Sequence, residues 1–194
     1  MEPWTDYRER LSTTLEGLVA TGRDNAPLAA SEAFGRWVHL AQEVHDAGRC
    51  LYLIGNGGSA MIASHMATDA TKNGGLRAMA FNDASLLTAI GNDIAFEDVF
   101  ALPLNRIGQR GDLLISISSS GDSPNIVKGL ETGRRIGMNL VTLSGQRPDN
   151  RSRILGDLNF YVPADRYGWV ECAHQLVIHY WFDQYLNVYG NGAL

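Results

Sequence analysis

Hydroxyl groups are concentrated in one short segment of the chain, at Ser118, Ser119, Ser120 and Ser123. An apolar run at residues 113–115 precedes the segment, and a helical pattern follows from Pro124. Proline fits the first position of a helix, and Ser123 can cap that helix. Hydroxyls and backbone N–H groups then converge at the positive end of a helix dipole. The segment therefore predicts a binding site for an anion, and a phosphate ester in particular.

A second loop, Gly55-Asn56-Gly57-Gly58-Ser59, follows the apolar run at residues 51–54. Its glycines allow the backbone to approach a ligand closely, and Ser59 is placed to cap the helix that follows. The loop lacks the Gly-x-Gly-x-x-Gly spacing of dinucleotide sites and the Gly-Lys-Ser/Thr ending of nucleoside-triphosphate sites. Taken alone, it is explained equally well as a tight turn with a helix cap.

Imidazole and carboxylate side chains occur at helical spacing in two further segments. His65 and Asp69 are four residues apart, and Glu171 and His179 recur on one face of a helix near the end of the chain. Two histidines and two carboxylates suit zinc or general acid–base catalysis. By themselves the residues are explained more simply as a helix-surface pair and a core histidine. Glu171 and His179 would lie roughly 12 Å apart along a helix axis, near the limit for two ligands of one ion.

These residues must be positioned by elements that alternate along the chain from about residue 50. Apolar runs alternate with helical patterns, which predicts an α/β fold with a mostly parallel sheet between two layers of helices. The predicted strands are residues 50–54, 77–81, 112–117, 139–143 and 158–162, and the predicted helices are residues 59–72, 95–108, 123–136 and 148–155. Because the carboxyl ends of parallel strands share one edge, both loops are expected to form one pocket.

Helical patterns also occupy both ends of the chain. We predict that residues 1–194 form a single domain in which residues 1–48 are a helical extension, with two helices joined through residues 22–27. A long helix over residues 169–189, rich in apolar and aromatic side chains, closes the chain. Apolar faces at both ends need a partner, which favours packing of the extension into an oligomer.

Composition restricts the class of protein. The net charge of −5 and the pI near 5.5 leave no basic surface, so nucleic-acid binding is not expected. Cys50 and Cys172 have neither disulfide-framework nor metal-type spacing, which favours a reducing cytoplasm. The chain does not open with a secretion signal, and no stretch approaches the roughly 20 apolar residues of a membrane span. We expect a cytoplasmic protein that does not contact membranes.

Three motifs in this order resemble the sugar isomerase (SIS) domain family: Gly55-Asn56-Gly57-Gly58-Ser59, residues 88–93 (TAIGND) and residues 117–125 (ISSSGDSPN). Within that family, the chain is most similar to the phosphoheptose isomerases. The resemblance implies that the whole chain is one SIS domain, a three-layer sandwich with a five-stranded parallel Rossmann-like sheet and N-terminal helices. It also implies a homotetramer with active sites between subunits, and one zinc ion per site.

The resemblance assigns individual residues as well. It implies that the sugar phosphate is bound by Asn56, Gly57, Gly58, Ser59, Asp93, Ser118, Ser119, Ser120, Ser123 and Glu171. It implies zinc ligation by His65, Asp69, Glu171 and His179, and acid–base catalysis by Asp69, His179 and Glu171. The chain departs from the family pattern at Asp69, where the family has glutamate, at Glu171, where it has glutamine, and at Gly168, where it has aspartate.

The expected function is isomerisation between an aldose and a ketose phosphate through an enediol. The resemblance indicates sedoheptulose 7-phosphate as substrate and D-glycero-D-manno-heptose 7-phosphate as product, or a related heptose or octulose phosphate. Two alternatives remain. One is a non-catalytic SIS tetramer that senses a sugar phosphate or docks a partner such as a replication initiator. The other keeps the enzyme class and changes the substrate to a hexulose 6-phosphate or an amino-sugar phosphate.

Overall fold

A computed structural model describes residues 1–190. Its helices are α1 (Trp4–Glu16), α2 (Ala30–Asp46), α3 (Gly58–Lys72), α4 (Ala84–Asp93), α5 (Ala101–Ile107), α6 (Pro124–Ile136), α7 (Arg151–Leu155) and α8 (Tyr167–Tyr189). Its strands are β1 (Val19–Gly22), β2 (Pro27–Leu28), β3 (Leu51–Gly55), β4 (Ala78–Ala80), β5 (Leu113–Ser118), β6 (Asn139–Gly145) and β7 (Leu158–Val162). Short 3₁₀ turns form at Arg23–Asn25 and Phe96–Asp98.

The strands form one sheet in the order β2-β1-β7-β6-β5-β3-β4. The five strands from β7 to β4 are parallel, which confirms the predicted centre of the fold. The predicted strand count is wrong, because β1 pairs antiparallel along β7 and β2 pairs with β1. Residues 22–27, predicted to link two helices, instead reverse the chain through the left-handed conformations of Asp24 (φ 59°) and Asn25 (φ 57°).

Strand side chains point alternately into two helical layers, as the pleat of a sheet requires. Leu51 and Leu53 join a core with α2, α3 and α8, in which Trp37 stacks on Trp181 with ring centroids 4.5 Å apart. Tyr52 and Ile54 join a second core with α4, α5 and α6. The central strands β3, β5, β6 and β7 are therefore buried on both faces, and the predicted three-layer sandwich is confirmed.

One helix of the described chain was not predicted. Residues 84–93 form α4, whose N-cap Asp83 accepts a hydrogen bond from the Leu86 N–H at 2.9 Å. The predicted helix at 95–108 is divided into the turn Phe96–Asp98 and the short helix α5. Among residues 1–190, no helix has both the length and the apolar character needed to cross a membrane.

The order of the strands determines where a ligand can bind. From β3 the chain crosses to β4 on one side, and it then returns to β5 on the other side of β3. The segments that follow β3 and β5 consequently diverge at the carboxyl edge and leave a crevice between them. Ligands of open α/β sheets bind in a crevice of this kind.

Candidate active site

The glycine loop, residues 55–58, joins β3 to α3 in a very tight turn. Gly57 has φ +56°, a conformation that favours glycine, and a Cβ on Gly55 would lie 2.6 Å from the backbone of Ser59. Helix α3 therefore begins directly against the end of its strand. Its N-cap is Gly57, so the prediction that Ser59 caps this helix is wrong. Ser59 is instead buried within the first turn.

The serine loop, residues 118–123, joins β5 to α6. Its reversal requires glycine at Gly121, where φ is +67° and a Cβ would overlap the side chain of Asn150. Ser123 is the N-cap residue of α6, as predicted, but its side chain makes no capping hydrogen bond. The Ser119 Oγ is buried and has no hydrogen-bond partner among residues 1–190. Both hydroxyls therefore remain available to a ligand.

The two loops line one cavity of about 250 Å³. Its walls consist of Asn56, Gly57, Gly58, Ser59, Ser118, Ser119, Ser120, Ser123, Tyr167 and Glu171. Among the residues predicted to bind the sugar phosphate, Asp93 is the exception. The cavity has the composition of a phosphate site, because its walls are rich in hydroxyls and glycine backbone.

Asp93 does not line this cavity. It is exposed at the end of α4, where its carboxylate accepts a hydrogen bond from the side-chain amide of Asn92 at 2.8 Å. Tyr167 lines the cavity and was not predicted. It precedes Glu171 by four residues on α8, and this spacing places both side chains on one helix face. That spacing is the signal by which the sequence could have revealed it.

His65, Asp69 and His179 form a separate group at the contact between α3 and α8. The His65 Nε2 is 3.1 Å from the Asp69 Oδ2, and the two imidazole rings have centroids 5.4 Å apart. One ligand atom from each residue lies within 4.8 Å of those of the other two. Two nitrogens and a carboxylate oxygen are donors that zinc prefers, and three protein ligands leave its fourth position open.

Glu171 does not belong to this group of three. Its carboxylate lies against Gly58, where a Cβ would be 2.8 Å from Cδ and from both oxygens. The four residues predicted to hold one ion are therefore divided, with three together and the fourth at the cavity. The roughly 12 Å between Glu171 and His179 along α8 explains the division.

Charge in the cavity is set by two helices that begin there, α3 at Gly58 and α6 at Pro124. Their N-termini carry positive partial charge, which favours the Glu171 carboxylate beside α3 and an anion beside α6. His174 on α8 is fully buried, and burial lowers its pKa to about 4. It is neutral near pH 7 and contacts the Ser144 carbonyl oxygen through Nε2 at 3.1 Å.

The chain is similar to known proteins along most of its length. The profile of the family described as SIS domain matches residues 7–145. The phosphoheptose isomerase of Helicobacter pylori is 35% identical over 179 residues, covering 89% of this chain and 86% of that protein. The phosphoheptose isomerase of Escherichia fergusonii is 32% identical over 181 residues, covering 89% and 91%. Phosphoheptose isomerase GmhA from Neisseria gonorrhoeae superposes with a TM-score of 0.81 at 29% identity, covering 93% and 96% of the two chains.

Proposed function

The chain belongs to the SIS domain family, and on that premise we propose that it is an aldose–ketose isomerase of a sugar phosphate. The proposed substrate is sedoheptulose 7-phosphate, and the product is D-glycero-D-manno-heptose 7-phosphate. Support comes from relatives named phosphoheptose isomerase that align over most of the chain. The observation that carries the proposal is the single cavity that combines a serine loop, a helix N-terminus and the carboxylate of Glu171.

In the proposed complex the serine loop holds the phosphate. Ser119 offers a buried hydroxyl without a partner, and Ser123 offers an uncommitted hydroxyl at the start of α6. An anion at this position also accepts from the backbone N–H of Asn125, which has no partner within the helix. The other N–H groups of the first turn are taken, because that of Ile126 is bound to the Asn125 Oδ1 and that of Val127 to the Ser123 carbonyl oxygen. Binding energy from the phosphate then orients the sugar carbons, which lie away from it.

The reaction moves one proton between adjacent carbons. A base removes a proton from C1 of the ketose, and the electrons form a C1–C2 double bond as the carbonyl oxygen at C2 takes up a proton. Loss of the proton on O1 then re-forms a carbonyl at C1, while C2 receives a proton from the same base. We propose that Glu171 is the base that removes the proton from C1 and returns it to C2, because it is the carboxylate in the cavity wall.

Asp69 and His179 have two proposed functions that exclude each other. As an acid–base pair they would carry the protons of the sugar oxygens. As ligands together with His65 they would hold one zinc ion per site, which when bound polarises a carbonyl. A nitrogen or oxygen atom that coordinates zinc cannot accept a proton at the same time, so zinc held through these three atoms favours the second function.

We also propose a homotetramer with active sites between subunits, in the cytoplasm. Met61 of α3 and Leu176 and Tyr180 of α8 are exposed apolar side chains on the helices that carry the three-residue group. Covering them would place a second copy beside the site. Asp93, which does not line the cavity of its own chain, would then serve a neighbouring copy. The cysteines Cys50 and Cys172 are both free, in keeping with a reducing compartment.

The proposal is tested by incubating the purified protein with sedoheptulose 7-phosphate in deuterated water and recording proton NMR spectra. We expect a heptose aldehyde or hemiacetal signal, with deuterium at C2 of the product to the extent that the protonated base exchanges with the solvent before it returns its proton. Absence of both an aldose and deuterium exchange at C1 contradicts the isomerase. Binding of the sugar phosphate without either signal supports the non-catalytic sensor instead.

A further inference from the structure

The side-chain amides of Asn56 and Asn125 join the glycine loop to the serine-loop side of the site. Each amide donates to the carbonyl oxygen of the other, with N···O distances of 2.9 Å and 2.8 Å. Asn125 is the second residue of α6 and is only 3% exposed. Its Oδ1 also accepts the N–H of Ile126 at 3.0 Å. The orientation of the Asn125 amide is thus fixed by its own helix.

Asn56 is also hydrogen-bonded to the first turn of α3. Its backbone carbonyl accepts the N–H groups of Ser59 at 3.0 Å and Ala60 at 3.3 Å, which form the first turn of the helix. The paired amides therefore link the first turn of α3 to the first turn of α6. Strands β3 and β5 are already adjacent, with Gly55 opposite Ile117. The pairing of β3 with β5 ends there, and the two amides connect the segments that follow these strands.

Open space lies behind the glycine loop. A second cavity of about 360 Å³ is lined by Asn82, Leu87, Phe96 and Phe100, and it shares Asn56 and Gly57 with the first cavity. The loop therefore contributes residues to two cavities. Glycine-rich backbone has many accessible conformations, so contacts from neighbouring side chains help to fix its position.

We infer that Asn125 is a positioning residue, which acts through Asn56 to hold the glycine loop at a fixed distance from the serine loop. This inference rests on the proposed function for its catalytic consequence. A sugar phosphate that spans both loops reacts only if the loops hold its phosphate and its reacting carbons at the correct distance from each other. Inorganic phosphate, which reaches only the serine loop, does not depend on the link.

Hydrogen–deuterium exchange of the ligand-free protein tests the link directly. We expect Asn125→Ala to raise the exchange rate of the amides of Ser59, Ala60 and Met61 at least tenfold. Asn159→Ala is the matched control, because Asn159 is also a buried asparagine with side-chain hydrogen bonds, to Thr142 and to the carbonyls of Gly22 and Gly156. A change below twofold in Asn125→Ala, or an equal change in the control, overturns the inference.

Kinetics test the catalytic consequence by a double-mutant cycle. We expect Asn125→Ala to lower kcat/KM for sedoheptulose 7-phosphate at least tenfold in the parent, but less than twofold in the Asn56→Ala background. The Kd of inorganic phosphate should change less than twofold. Equal losses in both backgrounds, or a tenfold weaker phosphate affinity, overturn the inference. A parent without isomerase activity refutes the proposed function alone. The amide hydrogen–deuterium exchange experiment still tests the contact between Asn125 and Asn56.

Discussion

The carboxylate of Glu171 and the backbone of Gly58 are in such close contact that position 58 has no room for a side chain. A Cβ there would lie 2.8 Å from Cδ and from both oxygens of Glu171. Gly58 is the first residue of α3, so the carboxylate also lies at the positive end of a helix. The proposed base is thus positioned by a glycine that sequence reasoning assigned to substrate binding.

Gly58→Ala tests this contact. We expect kcat/KM for sedoheptulose 7-phosphate to fall at least ~10-fold, or about 1.4 kcal/mol of barrier, because the methyl group displaces the Glu171 carboxylate. The unfolding midpoint should not fall, since the far end of Glu171 is flexible and alanine favours a helix. The matched control is Gly35→Ala in α2, where a Cβ meets no atom within 4 Å. Parent-like activity in Gly58→Ala contradicts the assignment of Glu171.

The centre of the fold and the cavity were predictable because both follow from local patterns. Apolar runs predict buried parallel strands, and the strand-edge rule then brings the glycine and serine loops together. The strands β1 and β2 were not predictable in the same way. The pairing of β1 with β7 joins residues far apart in sequence, and β2 pairs in turn with β1. A helical spacing likewise gives no sign of which neighbouring element a side chain will meet.

The division of the acidic and imidazole residues shows the same limit. Helix geometry indicated that Glu171 and His179 are far apart along α8. It did not indicate that α3 would bring His65 and Asp69 to His179 and bring Gly58 to Glu171. That pairing depends on how α3 and α8 cross, which is set by the core between them. Residue spacing within one helix carries no such information.

Ser119→Ala tests the phosphate site. The Ser119 Oγ is buried without a partner among residues 1–190, so its removal should leave the unfolding midpoint unchanged or raise it. A hydrogen bond to a charged group contributes about 1.5–3 kcal/mol, so we expect the Kd of sedoheptulose 7-phosphate, measured by calorimetry, to rise ~10-fold or more.

Ser116→Ala is the control for that measurement. Its Oγ is also buried and unpartnered within the described chain, but it lies inside β5 and does not line the cavity. Its removal should change neither affinity nor stability appreciably. A Ser119→Ala affinity equal to that of the parent, with Ser116→Ala also unchanged, contradicts a phosphate at the serine loop.

Zinc binding to His65, Asp69 and His179 is tested by thermal unfolding. A ligand that binds only the folded state at 100 times its Kd stabilises that state by about 2.7 kcal/mol. We expect zinc to raise the unfolding midpoint of the parent and of His45→Ala, an exposed histidine of α2. His65→Ala should lose the effect at the same concentration. A midpoint that does not respond to zinc in the parent leaves Asp69 and His179 as the acid–base pair.

The pH dependence of stability is expected to depend on His174. Burial lowers its pKa to about 4, against about 6.5 in an unfolded chain. Between these values only the unfolded state binds the proton, so the free energy of unfolding falls as the pH falls, by roughly 3 kcal/mol in all. His174→Gln removes the titration and keeps a donor for the Ser144 carbonyl. Urea unfolding at pH 7 and pH 5 should show a smaller difference in this variant than in the parent or in His45→Gln. Equal differences in all three proteins contradict a neutral buried His174.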